Sequence, residues 1–234
     1  PGGNVTIEAN TTGYQVCDTK VTGLRPNGSV TTSVTLAAKN LTVTTDTNLT
    51  VAPAQNTTVR FSLLNATSGT TLDTTTTNIT TDSVASGNVT LEGNFSQDVL
   101  DTGHKLRIRA NTTAGDTGYE NDTTTITDVR PGQNASKVGE LLLQAGDAAV
   151  TTDANLSIAP AENTTVTFQL LNESNVLTTK TATVTSDSNT TGNVTLFTRF
   201  SDGGLSPGSS LKVRANATDG DTGYFPATTT ATTD

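Results

Sequence analysis

Residues 164–170 read TTVTFQL. Along an extended chain Val166, Phe168 and Leu170 point one way, and Thr165, Thr167 and Gln169 the other. Period-two alternation marks a strand with one face on a core and one in water. The pattern returns at Val59, Phe61 and Leu63, at Leu106, Ile108 and Ala110, and at Val194, Leu196 and Phe200. No long segment of 3.6-residue period competes with it. Thr reinforces the reading: it supplies 54 of 234 residues, and its branched Cβ suits a pleated surface and disfavours helix.

These strands belong to a repeat. TDTNLTVAPAQNTTVRFSLLN (45–65) matches TDANLSIAPAENTTVTFQLLN (152–172) at an offset of 107 residues. SGNVTLEGNFS matches TGNVTLFTRFS, and KLRIRAN matches SLKVRAN, at an offset of 105, which places a two-residue indel near Thr70. A unit of that length is a domain rather than a solenoid turn. Turn signals divide the first unit into seven strands near 32–39, 42–52, 56–64, 71–80, 87–95, 104–110 and 117–128. In the second they fall near 138–145, 150–159, 163–171, 177–186, 192–200, 209–215 and 223–232. Seven short alternating strands in such a length predict an immunoglobulin-like β-sandwich. Pro53, Pro160 and Pro207 stand after strands or in a turn, where a missing donor is harmless. The expected organisation is therefore an N-terminal segment (1–30), a first sandwich (31–130) and a second (131–234).

The N-terminal segment echoes a domain end. IEANTTGYQV (7–16) is a shortened form of IRANTTAGDTGY (108–119) and VRANATDGDTGY (213–224). The three tyrosines of the chain, Tyr14, Tyr119 and Tyr224, share one slot after the sixth strand. An aromatic ring with a polar tip suits packing on a sandwich edge while hydrogen bonding a neighbouring loop. Residues 4–23 thus read as a last hairpin whose first five strands are absent. Such a hairpin is marginal alone and exposes unpaired edges, which makes it a candidate donor to another copy.

Asparagine usage addresses location. Of 20 Asn residues, 19 stand in N-x-[S/T] sequons: Asn4, Asn10, Asn27, Asn40, Asn48, Asn56, Asn65, Asn78, Asn88, Asn94, Asn111, Asn121, Asn134, Asn155, Asn163, Asn172, Asn189, Asn193 and Asn216. Chance in a chain this rich in Ser and Thr gives roughly six acceptor sequons. Asn88 and Asn94 sit on the outward phase beside inward Val89 and Phe95, so glycans there would clear the core. The pattern predicts a densely N-glycosylated, extracytoplasmic protein. A secreted domain with only 32% hydrophobic residues would ordinarily carry disulfides, yet Cys17 is the sole cysteine. Its thiol is expected to be unpaired, with interchain pairing the alternative. Net charge is −9, which offers no basic stripe to nucleic acid or an anionic membrane. No signal peptide or membrane-spanning run is present, as in a mature or trimmed form.

Catalytic chemistry finds no foothold. His104 is the only histidine, its counterpart in the second unit is Ser209, and a turn role is expected. Neither a phosphate-binding glycine loop nor a CxxC pair occurs. DGDTG at 219–223 faintly suggests calcium, with Asp219 and Asp221 as weak candidate ligands. Ala114 replaces Asp219 in the first unit, and turn chemistry is the plainer explanation. We expect no enzyme activity and no cofactor beyond covalent glycans.

Sequon-saturated, Thr-rich, acidic tandem sandwiches with one Cys resemble archaeal surface-layer or extracellular-filament glycoproteins. That resemblance implies a structural role at an archaeal cell surface, with further copies of the same chain as partners. Filament, lattice and the stalk of a longer adhesin all fit these features.

Overall fold

The computed structural model describes residues 2–95, 100–200 and 205–232. The chain is all-β, two tandem immunoglobulin-like sandwiches preceded by a hairpin, with no α-helix among the described residues. The hairpin pairs β1 (Gly3–Ala9) with β2 (Cys17–Leu24), running from Ala9 opposite Cys17 to Gly3 opposite Leu24.

In the first sandwich one sheet has four antiparallel strands. Its strands are β5 (Thr57–Asn65), β6 (Thr71–Ile79), β8 (Leu106–Ala114) and β9 (Asp122–Ile126), in the order β6-β5-β8-β9. The facing layer centres on β3 (Leu41–Thr45), continued by β4 (Asn48–Leu49), with β7 (Val89–Gly93) antiparallel to β3. Phe61, Leu63, Leu106 and Ile108 from one layer and Leu41, Val43 and Leu91 from the other are completely buried. These are the inward residues of the alternation, so the sequence phase carries directly into the core.

One strand departs from expectation. Residues 138–145 were expected to open the second sandwich; instead β10 (Asn134–Lys137) and β11 (Leu142–Leu143) complete the first. They run parallel to β3 and β4, pairing Asn134 with Thr42 and Leu143 with Leu49. Leu141 and Leu143 are 1% and 0% exposed and lie in the first core. Two buried hydroxyls hold this strand: Thr45 donates to the Lys137 carbonyl at 3.0 Å and Thr47 to that of Leu141 at 3.2 Å. Residues 32–39, also expected as a strand, form none beyond the Ala38 bridge.

The second sandwich repeats the plan. The strands β13 (Thr164–Asn172), β14 (Asn175–Val184), β16 (Ser210–Asp219) and β17 (Ala227–Thr232) form the sheet β14-β13-β16-β17. Facing it, β12 (Asp147–Thr152) pairs antiparallel with β15 (Val194–Arg199). Its core gathers Val166, Phe168, Leu170, Val184, Leu196 and Leu211. The two-residue indel falls in the hairpin turn. Unit two turns tightly between Asn172 and Asn175, whereas unit one closes its turn with Asn65 N–H bonded to the Thr70 carbonyl. Turn length therefore varies without shifting the core.

Candidate assembly site and sequon-bearing surface

Each sixth strand ends in the loop that carries the shared tyrosine. In unit one Gly115 has φ +77°, and a Cβ there would stand 2.3 Å from the Asn56 carbonyl oxygen. Only glycine permits both the left-handed backbone and this approach. Gly220 repeats it at φ +74° and 2.4 Å from the Asn163 carbonyl. Beneath the loops, buried Thr57 and Thr164 accept hydrogen bonds at 3.0 Å from the backbone N–H of Asp116 and Asp221.

This loop sets the tyrosine. Tyr119 is 8% exposed and its hydroxyl donates to the Val51 carbonyl at 3.0 Å. Burial, followed by the nearby Asp116 charge, pushes its phenol up to about 12. Tyr224 donates to the Ile158 carbonyl at 3.2 Å, and its phenol is raised for the same two reasons, with Asp221 as the charge. The expected edge-packing role is therefore what the structure displays.

Around the tyrosine the segment that leads into the next sandwich is bonded back to the loop, and this anchored segment is the joint between repeats. Glu120 N–H bonds the Gln144 carbonyl at 2.7 Å, and Gly146 N–H bonds the Gly118 carbonyl at 2.8 Å, flanking a Tyr119–Ala145 bridge. The N-terminal hairpin meets the first sandwich identically. Gln15 N–H bonds the Ala37 carbonyl at 2.8 Å, and Lys39 N–H bonds that of Gly13 at 2.9 Å, flanking a Tyr14–Ala38 bridge. The joint is backbone-made, so it tolerates the change from Glu120 to Gln15 and from Gly146 to Lys39. Alternation alone did not reveal it; the Tyr and the Ala that recur in both copies, Tyr14 with Ala38 and Tyr119 with Ala145, are the signal that could have.

Next to the inter-unit joint is a cleft of ≈620 Å³, lined in part by Asp116, Tyr119, Ala145, Asp147 and Phe200. Both Asp116 carboxylate oxygens are already engaged, by Ala54 N–H and the Gln55 amide. Asp221 likewise accepts from Ala161 N–H, at 3.4 Å, and Asp219 is exposed. Among the described residues no three His, Cys, Asp or Glu side chains cluster as metal ligands would. His104 closes a turn, accepting from Asp101 N–H on Nδ1 at 3.3 Å. Ser209 does the same for Ser206 N–H at 3.2 Å, so the imidazole performs a task that a hydroxyl performs equally. Cys17 is free and half-buried in β2.

Of the 19 sequon asparagines 15 are exposed, and Asn48, Asn111 and Asn172 are half-buried. Asn65 is the exception at 6% exposure. Its Oδ1 accepts from Thr67 and Ser68 N–H at 2.9 and 3.2 Å, which caps the β5–β6 turn. Outward Asn88 and Asn94 are exposed beside half-buried Val89 and Phe95, as the strand phase requires.

No protein-family model and no curated protein matches the sequence. Among solved structures, the Bacillus anthracis TIE protein is similar at 11% identity with a TM-score of 0.38, covering 100% of this chain and 40% of that one. The tip fimbrial protein Mfa3 from Porphyromonas gingivalis follows at 7% identity and 0.32, covering 82% and 81%. BcpA, the major pilin subunit of Bacillus cereus, stands at 11% and 0.30, covering 83% and 69%. At these scores the likeness carries no argument about the role of the chain.

Proposed function

We propose that the chain is a structural, densely N-glycosylated subunit of an extracellular polymer on an archaeal cell surface, a filament or a surface layer, built from copies of itself. The observation that carries this reading is the joint around Tyr14 and Tyr119, where the segment leading into the next sandwich is anchored twice in one chain by the same backbone bonds. A contact that repeats head to tail without closing propagates as a fibre. Sequons distributed over the outer surface support an extracellular setting, where sugars confer solubility and resistance to proteolysis. The role requires no reaction and no cofactor. Negative-stain images of purified material are expected to contain fibres or sheets, and monodisperse monomers alone would count against the proposal.

The tandem repeat itself also favours a second reading, the stalk of a longer adhesin. Intact mass after deglycosylation separates the two. A polypeptide near 24.0 kDa belongs to the two-sandwich subunit, and a much larger one to the stalk.

A further inference from the structure

The second sandwich has an uncovered strand edge. Among the described residues β12 pairs with β15 alone, whereas its counterpart β3 lies between β7 and β10. Core positions along that edge are correspondingly more open. Val43 and Thr45 are 0% exposed, but their counterparts Val150 and Thr152 are only half-buried. Half-buried Val51 becomes Ile158 at 69% exposure. In unit one that edge is covered by the parallel strand β10–β11; among the described residues nothing covers it in unit two.

A copy of that strand exists in the chain without a sheet. Turn RPNG (25–28) repeats turn RPGQ (130–133): Gly28 N–H bonds the Arg25 carbonyl at 2.9 Å and Gln133 N–H bonds that of Arg130 at 3.2 Å. The second turn residue pair also agrees, with Asn27 at φ 57° and Gly132 at φ 70°. After the turn, Val30 falls opposite Ala135 in the repeat, and Val34, Leu36 and Ala38 opposite Leu141, Leu143 and Ala145. Between them residues 138–139 of unit one have no counterpart. Yet 29–36 forms no strand, and Val30 is 55% exposed.

We infer that residues 29–36 of one copy form the seventh strand of the second sandwich of another copy, running parallel to β12. This specifies the contact within the polymer proposed above, and it assigns the donor to 29–36 rather than to the β1–β2 hairpin. Unit two already holds its own equivalent of that hairpin, β16–β17. Transferring the unit-one pairs places Ser29 opposite Ala149, Val30 opposite Val150, Thr32 opposite Thr152, Thr35 opposite Asn155 and Leu36 opposite Leu156. These pairs share one offset, so the donor needs no bulge where unit one has its two extra residues. Val30, Thr32, Val34 and Leu36 all face inward in that register, over the half-buried edge positions.

The acceptor side keeps two of the groups that grip the strand in unit one. Thr45 donates to a strand carbonyl and Thr50 Oγ1 accepts from Ala145 N–H at 2.9 Å. Their counterparts Thr152 and Ser157 are of the same hydrogen-bonding type, whereas Ala154 replaces Thr47, and Asp153 meets no counterpart of Gly139. The joint is exchanged bond for bond. Ala37 and Lys39 leave Gln15 and Gly13, and meet Phe225 N–H and the Gly223 carbonyl at the end of the acceptor. Phe225 is 97% exposed before this contact forms. The donor's own hairpin swings aside at the Arg25–Gly28 turn.

Cysteine pairing tests the register. Two single variants, Thr31→Cys and Thr151→Cys, each in a Cys17→Ser background, are mixed, co-assembled and oxidised. Directly opposed strand residues lie within disulfide reach. The expected result is a linked dimer at least tenfold more abundant than from a control mixture of Thr31→Cys with Thr179→Cys on β14. Polymers that form without enriched linkage would overturn this contact and leave the polymer proposal standing. Monomers only, by electron microscopy of unmodified protein under the same conditions, would overturn both.

Discussion

At the residue scale the tyrosine slot makes the sharpest demands. Tyr119 is held neutral in the folded state, since burial and Asp116 push its phenol up to about 12. A group raised by folding contributes its stability below its free value, near 10 for a phenol, and loses it as pH climbs through the folded value. Urea midpoints of the protein should therefore fall between pH 10 and 12, and less steeply in Tyr119→Phe. At neutral pH that variant loses the hydroxyl bond to Val51 and about 1 kcal/mol. Asn65 presents a different test. Its carbonyl oxygen caps a turn and the side chain is buried. Glycopeptide mass spectrometry should find Asn65 unmodified while exposed Asn40, Asn88 and Asn121 carry sugar. Occupancy at fewer than a handful of sites would undo the glycoprotein reading. Asn65→Ala should cost about 1–2 kcal/mol, read by chemical denaturation, through the two turn N–H groups it leaves uncapped.

At the scale of elements the decisive strand is β10–β11. Leu143 is 0% exposed in the first core although 92 and more residues separate this strand from its partners β3 and β4. Leu143→Ala should destabilise the first sandwich by about 2–5 kcal/mol, the range for emptying a buried leucine site. The second sandwich should be untouched, which segment-resolved hydrogen exchange would register. This strand also marks where the sequence stops being legible. Alternation at Val59, Phe61 and Leu63 announces a half-buried strand and its inward face, because period two is a local property. Alternation at Leu141 and Leu143 announces a strand equally well, but is silent about which sheet receives it. Parallel pairing across so long a separation leaves no mark on neighbouring residues, so 138–145 read as an opening strand rather than a closing one. The Tyr–Ala joint was hidden for a related reason: its bonds are made by backbone groups, which every residue carries. Turn residues were more informative, and His104 and Ser209 read as turn positions because each unit supplies a different side chain for one task.

At the scale of the molecule, two sandwiches and a hairpin are strung together by a joint used twice in the same form. Apart from Asn65 the sequon asparagines are exposed or half-buried, and Asn10, Asn40 and Asn121, which flank the joints in sequence, are exposed. The polymer reading therefore predicts that enzymatic deglycosylation raises protease sensitivity and lowers solubility without dissolving assembled material. The most direct test of the central claim is electron microscopy of the purified, glycosylated protein. Fibres or sheets with a regular repeat along the stacking direction are the predicted result. A field containing only dispersed two-sandwich particles, at concentrations where a surface polymer should persist, would contradict it.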